Sequence, residues 1–100
     1  MGSFRITEHN ARELVASGAL LLDVRTPEEF REHHLPGAVN IPVHELGARI
    51  RELGPKERAV VVYCRSGARS RTAAGLIKDV GHPVLDIGAI GNWSGEAVTR

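Results

Sequence analysis

The single cysteine of the chain, Cys64, is the first residue of the segment CRSGAR, which ends at Arg69. An apolar run, AVVVY, comes directly before this segment. The thiolate is the nucleophilic form of cysteine, and nearby positive charge and hydrogen-bond donors favour it over the thiol. We therefore predict that Cys64 is acidic and nucleophilic.

The alternative for Cys64 is an inert side chain in an apolar core, where lone cysteines are often found. A cysteine in the middle of a strand would fit that interpretation. Cys64 instead ends an apolar run and precedes a glycine- and arginine-containing loop, which favours the nucleophile. One cysteine cannot form an internal disulfide, so we expect a reducing compartment.

The residues after Cys64 indicate how a thiolate would be stabilised. Backbone N–H groups of residues 65–69 can converge on the sulfur, and Gly67 permits a tight turn with positive φ. A helix that begins near Ser70 adds the positive end of its dipole. The predicted anion-binding loop consists of Arg65, Ser66, Gly67, Ala68 and Arg69.

Apolar runs alternate with helical patterns along the chain, which is typical of an α/β fold. The predicted strands are 19–24, a short one within 35–42, 59–64 and 84–87. The predicted helices are 7–16, one that starts at 26, 43–53, 70–80 and a short one near Trp93. This alternation predicts a parallel sheet covered on both faces. Ligands bind at the carboxyl ends of such strands, and Cys64 lies at one of them.

The helix signals are specific in two segments. In TPEEF, Thr26 is the expected cap, Pro27 the first helical residue and Glu29 the partner in a capping box. Glu28 and Glu29 are therefore assigned to the helix N-terminus and not to acid catalysis. In the helix over 70–80 we expect four side chains to face the core, namely Ala73, Ala74, Leu76 and Ile77.

Composition and charge exclude several classes of protein. The chain has 100 residues, 42% of them hydrophobic and 25% charged, with a net charge of +1. We expect one domain over 1–100, and no basic face for nucleic acid. No signal peptide and no apolar stretch of about 20 residues occurs, so we expect a cytoplasmic protein without membrane contact. His33 and His34 lack the spacing of metal ligands, and no metal is expected.

Three segments together resemble the rhodanese domain family of single-domain sulfurtransferases. CRSGAR is similar to the family's active-site loop. LLDVRTPEEFREHHLPGAVNIP, residues 21–42, is similar to its first signature, and LDIGAIGNW, residues 85–93, to its closing segment. The resemblance implies a three-layer α/β/α domain with a central parallel sheet of four or five strands.

The resemblance also implies a mechanism. Cys64 takes a sulfane sulfur from a donor, and the resulting persulfide passes it to cyanide or a thiol. Arg65 and Arg69 are expected to bind an anionic donor, and no cofactor is needed. Expected donors are thiosulfate, polysulfide and low-molecular-weight persulfides, with a protein persulfide as a further donor or acceptor. The small side chains of Ser66 and Ala68 predict an open, shallow pocket.

The remaining residues that match the family are expected to support the site. Asp23 and Arg25 match its Asp-x-Arg motif, and we expect a structural role for both, with Arg25 ion-paired to an acidic neighbour. Ser70 is expected to support the loop, and His34 to form a hydrogen bond or to pack. Two residues, Ala89 and Asn92, depart from the family pattern and are expected to alter a local turn or a partner surface.

Two other functions are compatible with a cysteine–arginine loop. A cysteine-dependent phosphatase or arsenate reductase would need a loop one residue longer than the segment from Cys64 to Arg69, which is sized for sulfur. A non-catalytic interaction module would usually lack the cysteine, although a sulfur-relay role would retain it. We therefore favour sulfur transfer.

Overall fold

The computed structural model describes the backbone of residues 3–93 and the side chains of residues 9–93. The helices and strands in chain order are α1 (Ser3–Ala16), β1 (Leu20–Asp23), α2 (Pro27–Glu32), β2 (Val39–Asn40), β3 (Val60–Cys64), α3 (Ala68–Val80) and β4 (Val84–Ala89). Three short 3₁₀ helices cover Val43–Glu45, Ile50–Leu53 and Ile90–Asn92.

The four strands form one parallel sheet in the order β2-β1-β3-β4. The predicted parallel sheet is confirmed, with four strands. The register between β1 and β3 runs from Leu20 beside Val60 to Asp23 beside Tyr63. Every residue of these two central strands is buried, which explains why both are apolar in the sequence apart from Asp23 at the end of β1.

Side chains of successive residues in β3 point to opposite faces of the sheet. One face packs against α3, where Val62 and Cys64 lie in a cluster with Ala73 and Ile77. The other face packs against α1, where Leu21, Val61 and Tyr63 of the sheet form a second cluster with Ala11 of the helix. The domain therefore has the expected three α/β/α layers, and Cys64 lies on the α3 side.

Two of the predicted helices have different boundaries. The helix expected over 43–53 is wrong, because this stretch forms two 3₁₀ helices that flank Gly47. Glycine lowers helix propensity. Leu46 and Leu53 are still buried. The first helix begins at Ser3, so Thr7 lies within it and is not its cap.

The last long helix also differs from its prediction. It begins at Ala68 instead of Ser70, because Gly67 takes a left-handed conformation and becomes the residue before the helix. Ala73 and Ile77 are buried as predicted, but Leu76 is exposed. Leu76 directly precedes Ile77 and lies at the exposed edge of the apolar face of α3. The helical spacing in the sequence did not distinguish this edge from the centre of the face.

A buried ion pair connects the end of β1 to α2. The carboxylate of Asp23 accepts hydrogen bonds from Arg25 Nη2 at 2.7 Å, from Nε at 3.0 Å and from the backbone N–H at 2.8 Å. Both side chains are buried, and Arg25 Nη2 also donates to the carbonyl of His33 at 2.7 Å. Arg25 is therefore ion-paired to an acidic neighbour, as expected, and holds both ends of α2.

Asp23→Asn should strongly destabilise the fold. It leaves the buried guanidinium of Arg25 without a counter-charge, which costs about 3–5 kcal/mol in the free energy of unfolding. Chemical denaturation measures this loss. Glu28→Gln is the control. Glu28 is exposed and forms a long surface ion pair of 3.9 Å with Arg31, so no measurable change in stability is expected. Equal stability of the two variants would contradict the structural role of Asp23.

Candidate active site

Cys64 ends β3, and the chain then turns sharply into α3. The backbone N–H of Gly67 donates to Cys64 Sγ at 3.0 Å. Gly67 has φ of +109°, a conformation that side chains with a Cβ rarely adopt, and this lets the turn aim its N–H at the sulfur. The expected convergence of loop N–H groups on the sulfur is therefore confirmed for Gly67.

Two opposing effects determine the pKa of Cys64. Burial alone would raise the pKa of this thiol, because the charged form loses its hydration. Hydrogen bonds from the Ser70 hydroxyl and from the backbone N–H groups of Ser70, Gly67 and Ser66 outweigh burial and lower the pKa. At a given pH, the fraction of Cys64 that is thiolate is therefore larger than in an ordinary cysteine.

The Ser70 hydroxyl stands between two acceptors. It lies 3.1 Å from the carbonyl oxygen of Gly67 and also within reach of the sulfur. A hydroxyl has one proton to donate, so it bonds either to the carbonyl or to the thiolate. Ser70 is buried in the first turn of α3, and its hydroxyl is one of the donors that lower the pKa of Cys64.

The predicted open pocket above the sulfur is wrong, because Cys64 is 0% exposed. Its side chain points into the layer between the sheet and α3. The structure instead has a cavity of about 320 Å³ beside the loop, lined by Arg25, Glu29, Glu32, His33, Arg65 and Ile90. A donor must therefore displace surrounding atoms to contact Sγ.

The three arginines have different environments. Arg69 makes a two-point ion pair with Glu29, with Nη1 to Oε1 at 2.8 Å and Nη2 to Oε2 at 3.1 Å. Arg65 is 75% exposed, and its nearest carboxylate is Glu29 at 4.0 Å. Arg71 lies on the surface, as expected. The structure therefore leaves Arg65 more accessible to an anion than Arg69.

Glu29 is the site residue that the sequence reasoning missed. Its predicted capping box is confirmed, because Oε1 accepts the Thr26 N–H at 2.9 Å and the Glu29 N–H donates to Thr26 Oγ1. The same carboxylate also binds Arg69, which is 40 residues away in sequence. No sequence signal pointed to this pair, since the cap alone explained the glutamate.

The other residues named from the sequence have local structural contacts. His34 is buried, stacks on Phe30 and has Nδ1 2.7 Å from the Phe30 carbonyl oxygen, in agreement with hydrogen bonding and packing. Trp93 packs against the core cluster on the α1 side. The Asn92 amide donates to the Ile87 carbonyl at 2.7 Å beside a β-bulge, so it shapes a local turn.

Two features are absent from residues 3–93, the part of the chain that the structure describes. In that part of the chain no group of three or more His, Cys, Asp or Glu side chains is arranged to hold a metal ion. Within the same residues, no helix has the length and apolar character needed to cross a membrane.

Comparison with known proteins identifies the family and the fold. The Rhodanese-like domain family matches residues 7–96. A "Sulfurtransferase" of Allochromatium vinosum is 43% identical over 77 residues, covering 75% of this chain and 71% of the relative. "Thiosulfate sulfurtransferase PspE" of Escherichia coli is 39% identical over 62 residues, covering 61% of this chain and 60% of the relative.

A solved structure agrees with these sequence matches. The structure described as "rhodanese with anions from E. coli" superposes with a TM-score of 0.76 at 30% identity, covering 83% of this chain and 100% of that one. The chain therefore belongs to the Rhodanese-like domain family. Its relatives include proteins named as sulfurtransferases.

The stability of the domain should fall in acid as Glu29 is protonated. The ion pair with Arg69, supported by hydrogen bonds from Thr26, lowers the pKa of Glu29 from 4.5 to about 2. A carboxylate whose pKa is lowered on folding stabilises the fold fully at a pH above its pKa in the unfolded chain. This contribution is lost as pH falls from about 4.5 to about 2. Glu29→Gln should therefore be less stable than wild type at neutral pH, and the gap should close towards pH 2. Denaturation over a pH series measures it, and a gap independent of pH would be the contrary result.

Gly67→Ala should weaken both the fold and the thiolate. A Cβ at φ of +109° is strained, which costs about 1–3 kcal/mol of stability. Any relaxation of the turn moves the Gly67 N–H away from Sγ and raises the pKa of Cys64. Thiolate absorbance against pH, together with denaturation, checks both effects.

Gly75→Ala is the matched control for the Gly67 substitution. Gly75 lies within α3, and a Cβ there would meet nothing within 4 Å. Alanine is favoured over glycine in a helix, so this change should stabilise the protein by about 0.5–1 kcal/mol and leave the pKa of Cys64 unchanged. A stable Gly67→Ala protein with an unaltered thiolate titration would show that the left-handed turn is not required.

Proposed function

We propose that this protein is a sulfurtransferase in which Cys64 carries a sulfane sulfur as a persulfide. The observation that carries the proposal is the Gly67 N–H aimed at Sγ from 3.0 Å at the carboxyl end of a central parallel strand. Membership of the Rhodanese-like domain family and the names of the relatives support the same chemistry.

The proposed reaction has two displacement steps. The Cys64 thiolate attacks the outer sulfur of thiosulfate, the S–S bond of the donor breaks, and sulfite leaves with the electron pair. The new Sγ–S bond makes Cys64 a persulfide. An acceptor such as cyanide or a thiolate then attacks the outer sulfur, and Cys64 leaves as a thiolate. Each step produces an anion on Sγ or on the sulfur bonded to it, next to the N–H donors of the loop.

The donor class follows from the charges that remain accessible. Thiosulfate, polysulfide and low-molecular-weight persulfides are anions, and Arg65 is the exposed cation next to Cys64. A protein persulfide is a further candidate donor or acceptor. Since the chain has one cysteine, we also propose a reducing compartment such as the cytoplasm. We further propose that residues 1–100 form a single domain.

Loading of sulfur on Cys64 tests the mechanism. After treatment with thiosulfate, polysulfide or a small persulfide, intact-mass spectrometry should show one added sulfur atom, and cyanide should remove it as thiocyanate. The panel also ranks the donors. Cys64→Ser should gain no sulfur and lose thiocyanate production to background, because the serine hydroxyl does not form a persulfide.

Two results would contradict the proposed function. One is a Cys64→Ser protein that keeps full activity. The other is turnover of p-nitrophenyl phosphate well above background by a protein that makes no thiocyanate, which would favour a phosphatase.

A further inference from the structure

The cavity of about 320 Å³ beside the cysteine loop lies between α2 and the residue that follows Cys64. Its charged walls come from Arg25, Glu29, Glu32 and Arg65, and Ile90 supplies an apolar wall. Charges of both signs therefore surround one space beside Arg65, the residue that follows Cys64. The chemistry of this cavity depends on which of these charges are already neutralised.

Two of the four charges have strong partners within the protein. Arg25 is bound to Asp23 at 2.7 Å, and Glu29 is bound to Arg69 at 2.8 Å. Both pairs use two hydrogen bonds between guanidinium and carboxylate, an arrangement that satisfies most of the charge on each group. Neither group is therefore the first choice for binding a small molecule.

The other two charges are available. Glu32 has no ion pair or hydrogen bond with any described residue from 9 to 93, and it is exposed at the end of α2. Arg65 is mostly exposed, and only the distant Glu29 carboxylate, at 4.0 Å, approaches it. The cavity thus presents one available anion and one available cation, whose charges sum to zero.

We propose that this cavity is a subsite for zwitterionic organic thiols, which carry an ammonium and a carboxylate as amino acids do. Glu32 binds the ammonium, Arg65 binds the carboxylate, and Ile90 contacts the methylene next to sulfur. An inorganic dianion would meet Arg65 but also the carboxylate of Glu32, so it gains less from this cavity. The proposal rests on the proposed function, and it concerns the acceptor of the second step.

The chemical step balances without any further reactant. The bound thiolate R–S⁻ attacks the outer sulfur of the protonated Cys64 persulfide, Sγ–SH, and an S–S bond forms in the product R–S–SH, which keeps the proton of the outer sulfur. The bond from Sγ to the outer sulfur breaks, and Cys64 leaves as a thiolate that accepts the Gly67 N–H. No net oxidation occurs, since one S–S bond replaces another.

Four thiols distinguish the two charges. These are cysteine, with both charges; N-acetylcysteine, with the carboxylate only; cysteamine, with the ammonium only; and 2-mercaptoethanol, with neither. The rate of persulfide loss is measured by quenched intact-mass spectrometry for wild type and for each variant. The ratio of variant to wild type for one thiol cancels its intrinsic reactivity.

Glu32→Gln should slow transfer to cysteine and cysteamine roughly threefold to fivefold, as expected for a partly solvated ion pair. The same substitution should leave the rate of transfer to 2-mercaptoethanol unchanged and slightly raise the rate of transfer to N-acetylcysteine. Arg65→Gln should instead slow cysteine and N-acetylcysteine beyond any change it causes with 2-mercaptoethanol. Glu28→Gln is the matched control, since Glu28 lies on α2 near Arg31 and does not line the cavity. Equal effects of Glu32→Gln on all four thiols, or equal effects of Glu28→Gln and Glu32→Gln, would overturn the proposal.

A binding experiment separates this subsite from the proposed function. S-methylcysteine cannot accept sulfur, so its binding to Cys64→Ser does not require a persulfide. Backbone amide shifts should change at Glu32 and Arg65, and Glu32→Gln should weaken the binding by the same threefold to fivefold. Failure of persulfide loading with these shifts present would refute the proposed function alone. Absence of the shifts would refute the subsite.

Discussion

The conflict between burial and charge at Cys64 Sγ governs the structure around the site. A fully buried sulfur raises the pKa of its thiol, so a reactive thiolate exists only if donors are aimed at it. The central strand delivers the sulfur to the interior, and the left-handed Gly67 directs its own N–H at the sulfur. The first turn of α3 then adds Ser70. Strand, turn and helix are thus three parts of one arrangement for holding negative charge.

Glu29 connects this arrangement to the rest of the domain. Its carboxylate caps α2 through Thr26 and at the same time binds Arg69 in the first turn of α3. The start of α2 is itself held by the buried pair of Asp23 and Arg25 at the end of β1. Arg69 is thereby neutralised by the protein, which leaves Arg65 as the exposed loop cation and gives the adjacent cavity its mixed charge.

Prediction from sequence succeeded where one local rule was sufficient. Continuous apolar runs predicted the two central strands, and the Thr26, Pro27 and Glu29 pattern predicted the start of α2 with its capping box. It failed where two rules competed. Leu46, Ile50 and Leu53 have α-helical spacing, but Gly47 favoured the two shorter 3₁₀ helices. Leu76 matched the apolar face of α3 but lies at its exposed edge.

The sequence by itself determined the fold class, the family and the position of Cys64 at a strand end, because alternating apolar periods and loop composition are local properties. Only the tertiary structure decided that Cys64 is buried, that Arg69 is bound to Glu29 and that Glu32 and Arg65 share a cavity. These facts depend on the packing of α2 against a loop distant in sequence. Side-chain accessibility and pairing across such a distance leave no periodic trace in the chain.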